Sequence, residues 1–287
     1  MVFAPSGDLT DDPAALSYYV LDDPDGARTH GHLVEVSMAQ VQAPAAAATS
    51  TSALVHTIDS SLWSPPSPDP SGIAYDATRN RLLVSDGEVE EMTIWRGANY
   101  FESSLSGALL ATSDLTSFTI EPVGVAWVPS GLRTIFSDDD ARKVFVVTLG
   151  ADGRPGTADD AVTSFSTTAF NSGDPEGVTL DPGQNRLFIA DGVNAEVYEV
   201  RAGANGVFDG VAPGGDDQVT HFDTASLGIT DPETVEFDTV AGTLYIIGSG
   251  GDQVVEMTTT GTVLRSIDTS GVPFSHPSGL VLAPGSA

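Results

Sequence analysis

The chain has no cysteine, which excludes a disulfide framework, a thiol nucleophile and a zinc–thiolate site. Positive charge is almost as scarce: Lys143 is the single lysine, and only 11 basic residues face 40 acidic ones across 287 residues. The resulting net charge of −29 repels DNA, RNA and anionic lipid, so no nucleic-acid partner is expected. No apolar run approaches the roughly 18 residues of a membrane helix, so no membrane span is expected. The opening residues Met1-Val2-Phe3-Ala4-Pro5 show neither the basic region nor the apolar stretch of a signal peptide. Amphipathic helical periodicity is missing too. There is no Gly-x-Ser-x-Gly elbow and no phosphate-cradling glycine loop ending in lysine.

What is present is a chain 40% hydrophobic, long enough to bury a full core. Its acids are skewed to 28 Asp against 12 Glu. Part of that charge is a solvated surface. Asp beside Gly also marks turns and calcium loops, where short carboxylates and carbonyls supply hard oxygen ligands. Cations are the natural partners.

Repetition is the strongest signal. A proline, one residue, a glycine or threonine and then an alternating apolar strand recur five times. The copies are Pro70-Ser71-Gly72-Ile73, Pro122-Val123-Gly124-Val125, Pro175-Glu176-Gly177-Val178, Pro232-Glu233-Thr234-Val235 and Pro277-Ser278-Gly279-Leu280. Spacings of 52, 53, 57 and 45 residues each hold about four short strands, the size of a propeller blade. Second strands follow at Arg81–Asp86, Arg133–Asp138, Arg186–Asp191 and Thr243–Gly248. Third strands are expected at Met92–Trp95, Val144–Thr148, Val197–Val200 and Val254–Met257, with fourth strands close behind. The start of the chain fits the same scheme, with Val2–Ala4 as an inner strand and Leu16–Leu21, His32–Met38 and Leu54–Ile58 after it. The Ala- and Pro-rich stretch Ala43–Ser52 reads as an exposed loop.

The expected fold is therefore all-β: one β-propeller of four-stranded antiparallel blades. The units run about 1–68, 69–120, 121–173, 174–230 and 231–275, with a spare inner strand at 276–287. Five blades are favoured over six, because only one strand of a sixth unit exists. The pieces Asp174-Pro175-Glu176-Gly177-Val178 and Arg186-Leu187-Phe188-Ile189-Ala190-Asp191-Gly192 resemble the NHL-like group of extracellular β-propellers, which includes gluconolactonase-type propellers. The resemblance covers nearly the whole chain as repeat shape. It implies a secreted or cell-surface setting and calcium in or near the central channel, used in some members for ester or lactone hydrolysis. The sequence departs from a full ring of glutamates at Ser71, Val123 and Ser278.

Two regions are candidates for calcium. Acids before the repeat prolines (Asp69, Glu121, Asp174, Asp231) and after the second strands (Asp22, Asp86, Asp138, Asp191) fall on one face of the ring. Asp174, Glu176, Asp191 and Glu233 could there converge on one ion, since grouped carboxylates repel unless cations or protons neutralise them. The alternative is that these Asp residues cap turns. On the opposite face, two loops carry Asx-Gly followed by paired Asp: Asp152, Asp159 and Asp160 in one, and Asn205, Asp209, Asp216 and Asp217 in the other. Each can wrap a calcium ion or be a hairpin turn held by Asx bonds. His30-Gly31-His32 is better read as an exposed turn than a metal clip, the tryptophans as packing, and Glu88, Glu90 and Glu91 as a solvated rim. Two functions remain open. One is a secreted calcium-binding propeller serving as a binding or scaffold module of a larger extracellular protein, its ligand a small molecule, glycan or protein. The other is a calcium-dependent lactonase or esterase acting at the channel mouth.

Overall fold

A computed structural model describes residues 16–24, 26–38, 49–250, 252–272 and 274–286. Val2–Ala4 and residues 43–48 of the expected loop lie outside them. Alternating β-branched and aromatic residues broken by Asp, Gly and Pro give twenty strands among the described residues, with no α-helix. The second blade is β4 (Pro70–Asp76), β5 (Arg81–Asp86), β6 (Tyr100–Ser103) and β7 (Leu109–Ser113). The third is β8 (Pro122–Val128), β9 (Arg133–Asp138), β10 (Lys143–Thr148) and β11 (Ala161–Ser166). The fourth is β12 (Pro175–Asp181), β13 (Arg186–Asp191), β14 (Glu196–Arg201) and β15 (Gln218–Asp223). The fifth is β16 (Pro232–Asp238), β17 (Thr243–Gly248), β18 (Gln253–Thr258) and β19 (Val263–Asp268).

The first blade is composite. Its outer three strands are β1 (Leu16–Asp22), β2 (His32–Met38) and β3 (Thr49–Asp59), and its innermost strand is the C-terminal β20 (Pro277–Pro284). The spare strand of the repeat count thus closes the ring, pairing antiparallel with β1 from Leu16↔Pro284 to Asp22↔Pro277. Closure removes the two edges an open array would leave. A second clasp joins the same seam: Ser266–Asp268 of β19 pair in parallel with Thr49–Thr51 of β3, and Ser52 Oγ donates to the Asp268 carbonyl at 2.9 Å. Residues 49–52 are therefore strand rather than loop, because the outer edge of the fifth blade supplies them a partner. The protein is a five-bladed propeller.

Side chains on a strand alternate between faces, so each blade offers one apolar face to each neighbour. In β13, Leu187 and Ile189 pack toward the third blade, while Phe188 and Ala190 pack toward the fifth. Five buried clusters result, one at each junction. One strand departs from expectation. Residues 92–95 form turn rather than strand, and β6 runs Tyr100–Ser103. There the buried Glu102 pairs with Arg81 on the adjacent β5, so a charge sits inside a strand that pattern alone would not accept.

Glycine sets the width of the ring. A Cβ on Gly124 would stand 2.7 Å from the Glu176 carbonyl oxygen, and one on Gly279 would stand 2.9 Å from that of Ser71. Neighbouring inner strands touch at this level, which divides the channel. Above it lies a mouth lined by the first residues of the inner strands; below it lies a separate bowl lined by their last residues.

Candidate metal centre at the upper channel mouth

Two kinds of Asp occupy this face, and they do different things. The Asp that ends four of the five second strands turns its carboxylate into the protein, while β17 ends in Gly248. Asp86 Oδ2 accepts from Ser67 Oγ (2.7 Å) and the Asp69 amide (3.0 Å), and Asp138 Oδ2 accepts from Thr119 Oγ1 (2.6 Å). Asp22 Oδ1 accepts from the Ser275 and His276 amides at 2.7 and 2.8 Å. Asp191 does the same, taking the Gly173 amide on Oδ2 at 2.8 Å and the Asn194 amide on Oδ1 at 2.8 Å. It is fully buried and braces the loop that delivers Asp174. Of the four residues expected to share an ion, Asp191 is thus a brace.

The remaining acids point into the mouth. Asp139, Asp174 and Glu176 each present a carboxylate oxygen within 4.8 Å of the others. Asp139, which the repeat pattern did not single out, follows Asp138 directly at the end of β9. Its Oδ1 is closed off from solvent with no hydrogen-bond partner among the described residues. Glu176 is pushed well above the usual carboxylate range by burial, and then by the charges of Glu233, Asp139 and Asp174. Glu233 stands beside this trio and is raised to about 8, by burial first and Asp231 next. Glu121 rises to about 9 through burial and the charges of Asp139 and Asp140, Asp69 to about 7 through burial and Asp86, and Asp139 to about 6 chiefly through burial. Gly192 makes the convergence possible: a Cβ there would lie 2.9 Å from both Asp174 Oδ2 and Asp231 Oδ1. Arg28 lines the mouth and pairs with Asp69 (3.5 Å) and with Glu88. Glu88 is therefore part of the mouth rather than a solvated rim.

The donor set suits a hard cation. Carboxylate oxygens alone, crowded and held partly protonated, are what calcium neutralises best, and sulfur or imidazole donors for softer metals are lacking in the trio. Three carboxylates fall short of the six to eight oxygens calcium takes, so water or a ligand would complete the shell.

The two opposite-face loops are built on one plan. Asp160 and Asp217 each accept the amide that opens the loop, from Gly150 at 2.9 Å and Gly203 at 3.3 Å. Asp159 and Asp216 each accept the next amide, from Ala151 at 2.7 Å and Ala204 at 2.8 Å. Asp152 and Asn205 each cap the amide two residues on, at 3.0 and 2.8 Å. In the first loop the carboxylates serve as Asx and loop caps. The longer second loop also brings Asp209, Asp216 and Asp217 together with oxygens within 4.8 Å, and Asn205 Nδ2 donates to Asp209 Oδ2 at 2.7 Å.

A closed β-propeller with an acidic channel mouth is the class that fold and site define. The chain belongs to the SdiA-regulated family, a β-propeller family whose model matches residues 48–272. Among solved structures it is similar to a chain of a nidogen–laminin complex, at TM-score 0.52 and 11% identity, covering 95% of this chain and 100% of that one. It is also similar to a candidate 6-phosphogluconolactonase from Bacteroides uniformis, at TM-score 0.44 and 14% identity, covering 90% of this chain and 70% of that one. A third is a functionally unknown protein from Desulfotomaculum acetoxidans, at TM-score 0.45 and 14% identity over 83% and 63% of the two chains. These are likenesses of fold. No curated protein matches the chain.

Proposed function

We propose that this propeller is a calcium-dependent binding module, with a calcium ion at the upper mouth held by Asp139, Asp174 and Glu176. The observation that carries the reading is the trio itself: three carboxylates within 4.8 Å, none of them in an ion pair among the described residues, and Gly192 keeping the space open. Water and a ligand group would share the ion's remaining coordination positions. An extracellular setting fits, because sites of few carboxylates are weak and fill where calcium is millimolar. A chain of similar fold occurs in a complex of nidogen with laminin, in keeping with a propeller that binds a partner. Among the described residues, no helix is long and apolar enough to cross a membrane.

Ligand binding to the folded state alone raises stability by mass action, about 2.7 kcal/mol at a concentration 100 times Kd. The melting temperature should therefore rise by several degrees from chelator to millimolar calcium. The double variant Asp139→Asn, Glu176→Gln should lose that rise, whereas Asp209→Asn should leave most of it. If the double variant keeps the full response, the ion is not at the mouth. A second reading, hydrolysis of a lactone or ester, is favoured by Glu121, which lines the mouth with Asp139 and whose carboxyl is raised to about 9 by burial and then by the Asp139 charge. Turnover of a lactone and ester panel that vanishes in Glu121→Gln while calcium still binds would select it.

A further inference from the structure

The lower bowl has chemistry of its own. It is a cavity of about 580 Å³ on the far side of the glycine constriction, walled by Tyr75, Trp127, Leu180, Phe237 and Leu282 around Glu236. Volumes of that order, mostly apolar with a few convergent polar groups, are what small-molecule sites offer. Glu236 is partly exposed into the bowl and its carboxylate is fixed in place. Thr179 Oγ1 donates to Glu236 Oε2 at 3.0 Å, and the same hydroxyl oxygen accepts the Phe237 amide at 3.2 Å. Burial among apolar walls raises Glu236 to about 7, although Thr179 and the Leu282 amide pull the other way.

Among the described residues the lining contains two acids, Glu236 and Asp238, and no Lys, Arg or His. Asp238 is engaged elsewhere, its Oδ1 accepting the Val240 and Ala241 amides of the following turn at 2.7 and 3.0 Å. Glu236 is left as the one carboxylate presented to an apolar space. A single carboxylate is too few oxygens for calcium, and an anion would meet repulsion. An organic cation meets the opposite charge, the aromatic side chains Tyr75, Trp127 and Phe237 of the walls, and a net protein charge of −29 that concentrates it. Trp127 already carries one cation, the Arg79 guanidinium, 5.6 Å from its ring centroid.

We propose that the lower bowl binds a small organic amine in its protonated form, with the ammonium on Glu236 and the apolar body between Trp127, Tyr75 and Phe237. The site is separate from the upper mouth and stands whether or not calcium binds there. The test titrates the full chain by calorimetry with phenethylamine, and with 2-phenylethanol and phenylacetate as neutral and anionic mimics of the same shape. The amine should bind one to one, at least about tenfold tighter than the alcohol, and phenylacetate should not bind. Glu236→Gln should bring the amine to the level of the alcohol. Affinity should be the same in calcium and in chelator, since the acids of the upper mouth take no part. In the unmodified protein, nuclear Overhauser contacts from the bound amine should reach the Trp127 indole and Leu282 methyls, which locates it without any variant. Amine and alcohol binding equally, an unchanged Glu236→Gln affinity, loss of the amine on adding calcium, or contacts outside the bowl would each overturn the assignment.

Discussion

The two ends of the channel neutralise their carboxylates in opposite ways. Toward the lower end, acids of the inner and third strands meet arginine: Glu102 with Arg81, Asp181 and Glu199 with Arg186, Glu256 with Arg265. At the upper mouth the ion pairs among the described residues are those of the exposed Arg28 with Asp69 and Glu88; Asp139, Asp174 and Glu176 have none, although the Arg142 charge acts on Asp174. Ion pairing completed within the protein is permanent, so these lower acids are finished by folding, and Glu236 in the bowl is the exception. Acids left to protons are available to an exchangeable cation. With eleven basic residues in the whole chain, their placement is itself informative.

The largest test of this contrast removes a paired arginine. Arg186 is 5% exposed, lies 2.9 Å from Asp181 and 3.2 Å from Glu199, and covers the Phe188 ring at 5.0 Å. Arg186→Met leaves the buried Asp181 without a cation and Glu199 with only Arg201, a loss of about 3–5 kcal/mol. Arg28→Met, at an exposed pair, should cost less than about 1 kcal/mol. Urea denaturation of the two variants measures both. Similar losses would mean that the two ends are not different in kind.

A smaller effect comes with pH. Folding raises Asp139 to about 6, Asp69 to about 7, Glu233 to about 8 and Glu121 to about 9. Raised carboxylates bind protons more tightly in the folded state. Their stabilisation is complete below the unfolded values near 4 and is lost as pH climbs through the folded ones. In chelator the melting temperature should fall between about pH 5 and 9, by on the order of 5 °C. Calcium binds the ionised form, so its presence should flatten the fall and its affinity should increase with pH. A slope identical with and without calcium would detach these acids from the ion.

The blades were legible in the sequence because each obeys a local rule: proline at the inner-strand start, alternation within strands, Asp at turns. That rule also accounts for the excess of Asp, since Asp76, Asp181 and Asp238 each cap the turn that follows an inner strand. The site was half legible. Asp174 and Glu176 could be placed on the mouth from the repeat, but Asp139 and Asp191 exchange the roles that spacing suggests. Asp191 ends its strand and turns inward as Asp22, Asp86 and Asp138 do, whereas Asp139 stands one residue past that position and lines the mouth. The lower bowl was illegible. Ala74, Ala126, Leu180 and Leu282 read as core in any single repeat, and they enclose a cavity only when five copies are set in a ring.

The smallest effect separates two sides of the upper mouth itself. Gly192 and Gly87 follow equivalent second strands, but a Cβ on Gly192 would meet Asp174 Oδ2 and Asp231 Oδ1 at 2.9 Å. One on Gly87 would meet Ser71 Oγ at 3.1 Å and Val123 Cγ1 at 3.2 Å. The atoms on the Gly192 side are ends of mobile carboxylates, which can swing aside, so Gly192→Ala should cost less than about 1 kcal/mol of stability. Swinging aside is what the proposed calcium site could not tolerate, because Asp174 would supply one of its three carboxylates. Gly192→Ala should therefore weaken calcium binding several-fold with little change in the chelator melting temperature. Gly87→Ala, on the side where Ser71 and Val123 replace acids, should leave calcium affinity as it was. Equal calcium affinities in the two variants would show that the carboxylates above Gly192 do not gather around an ion.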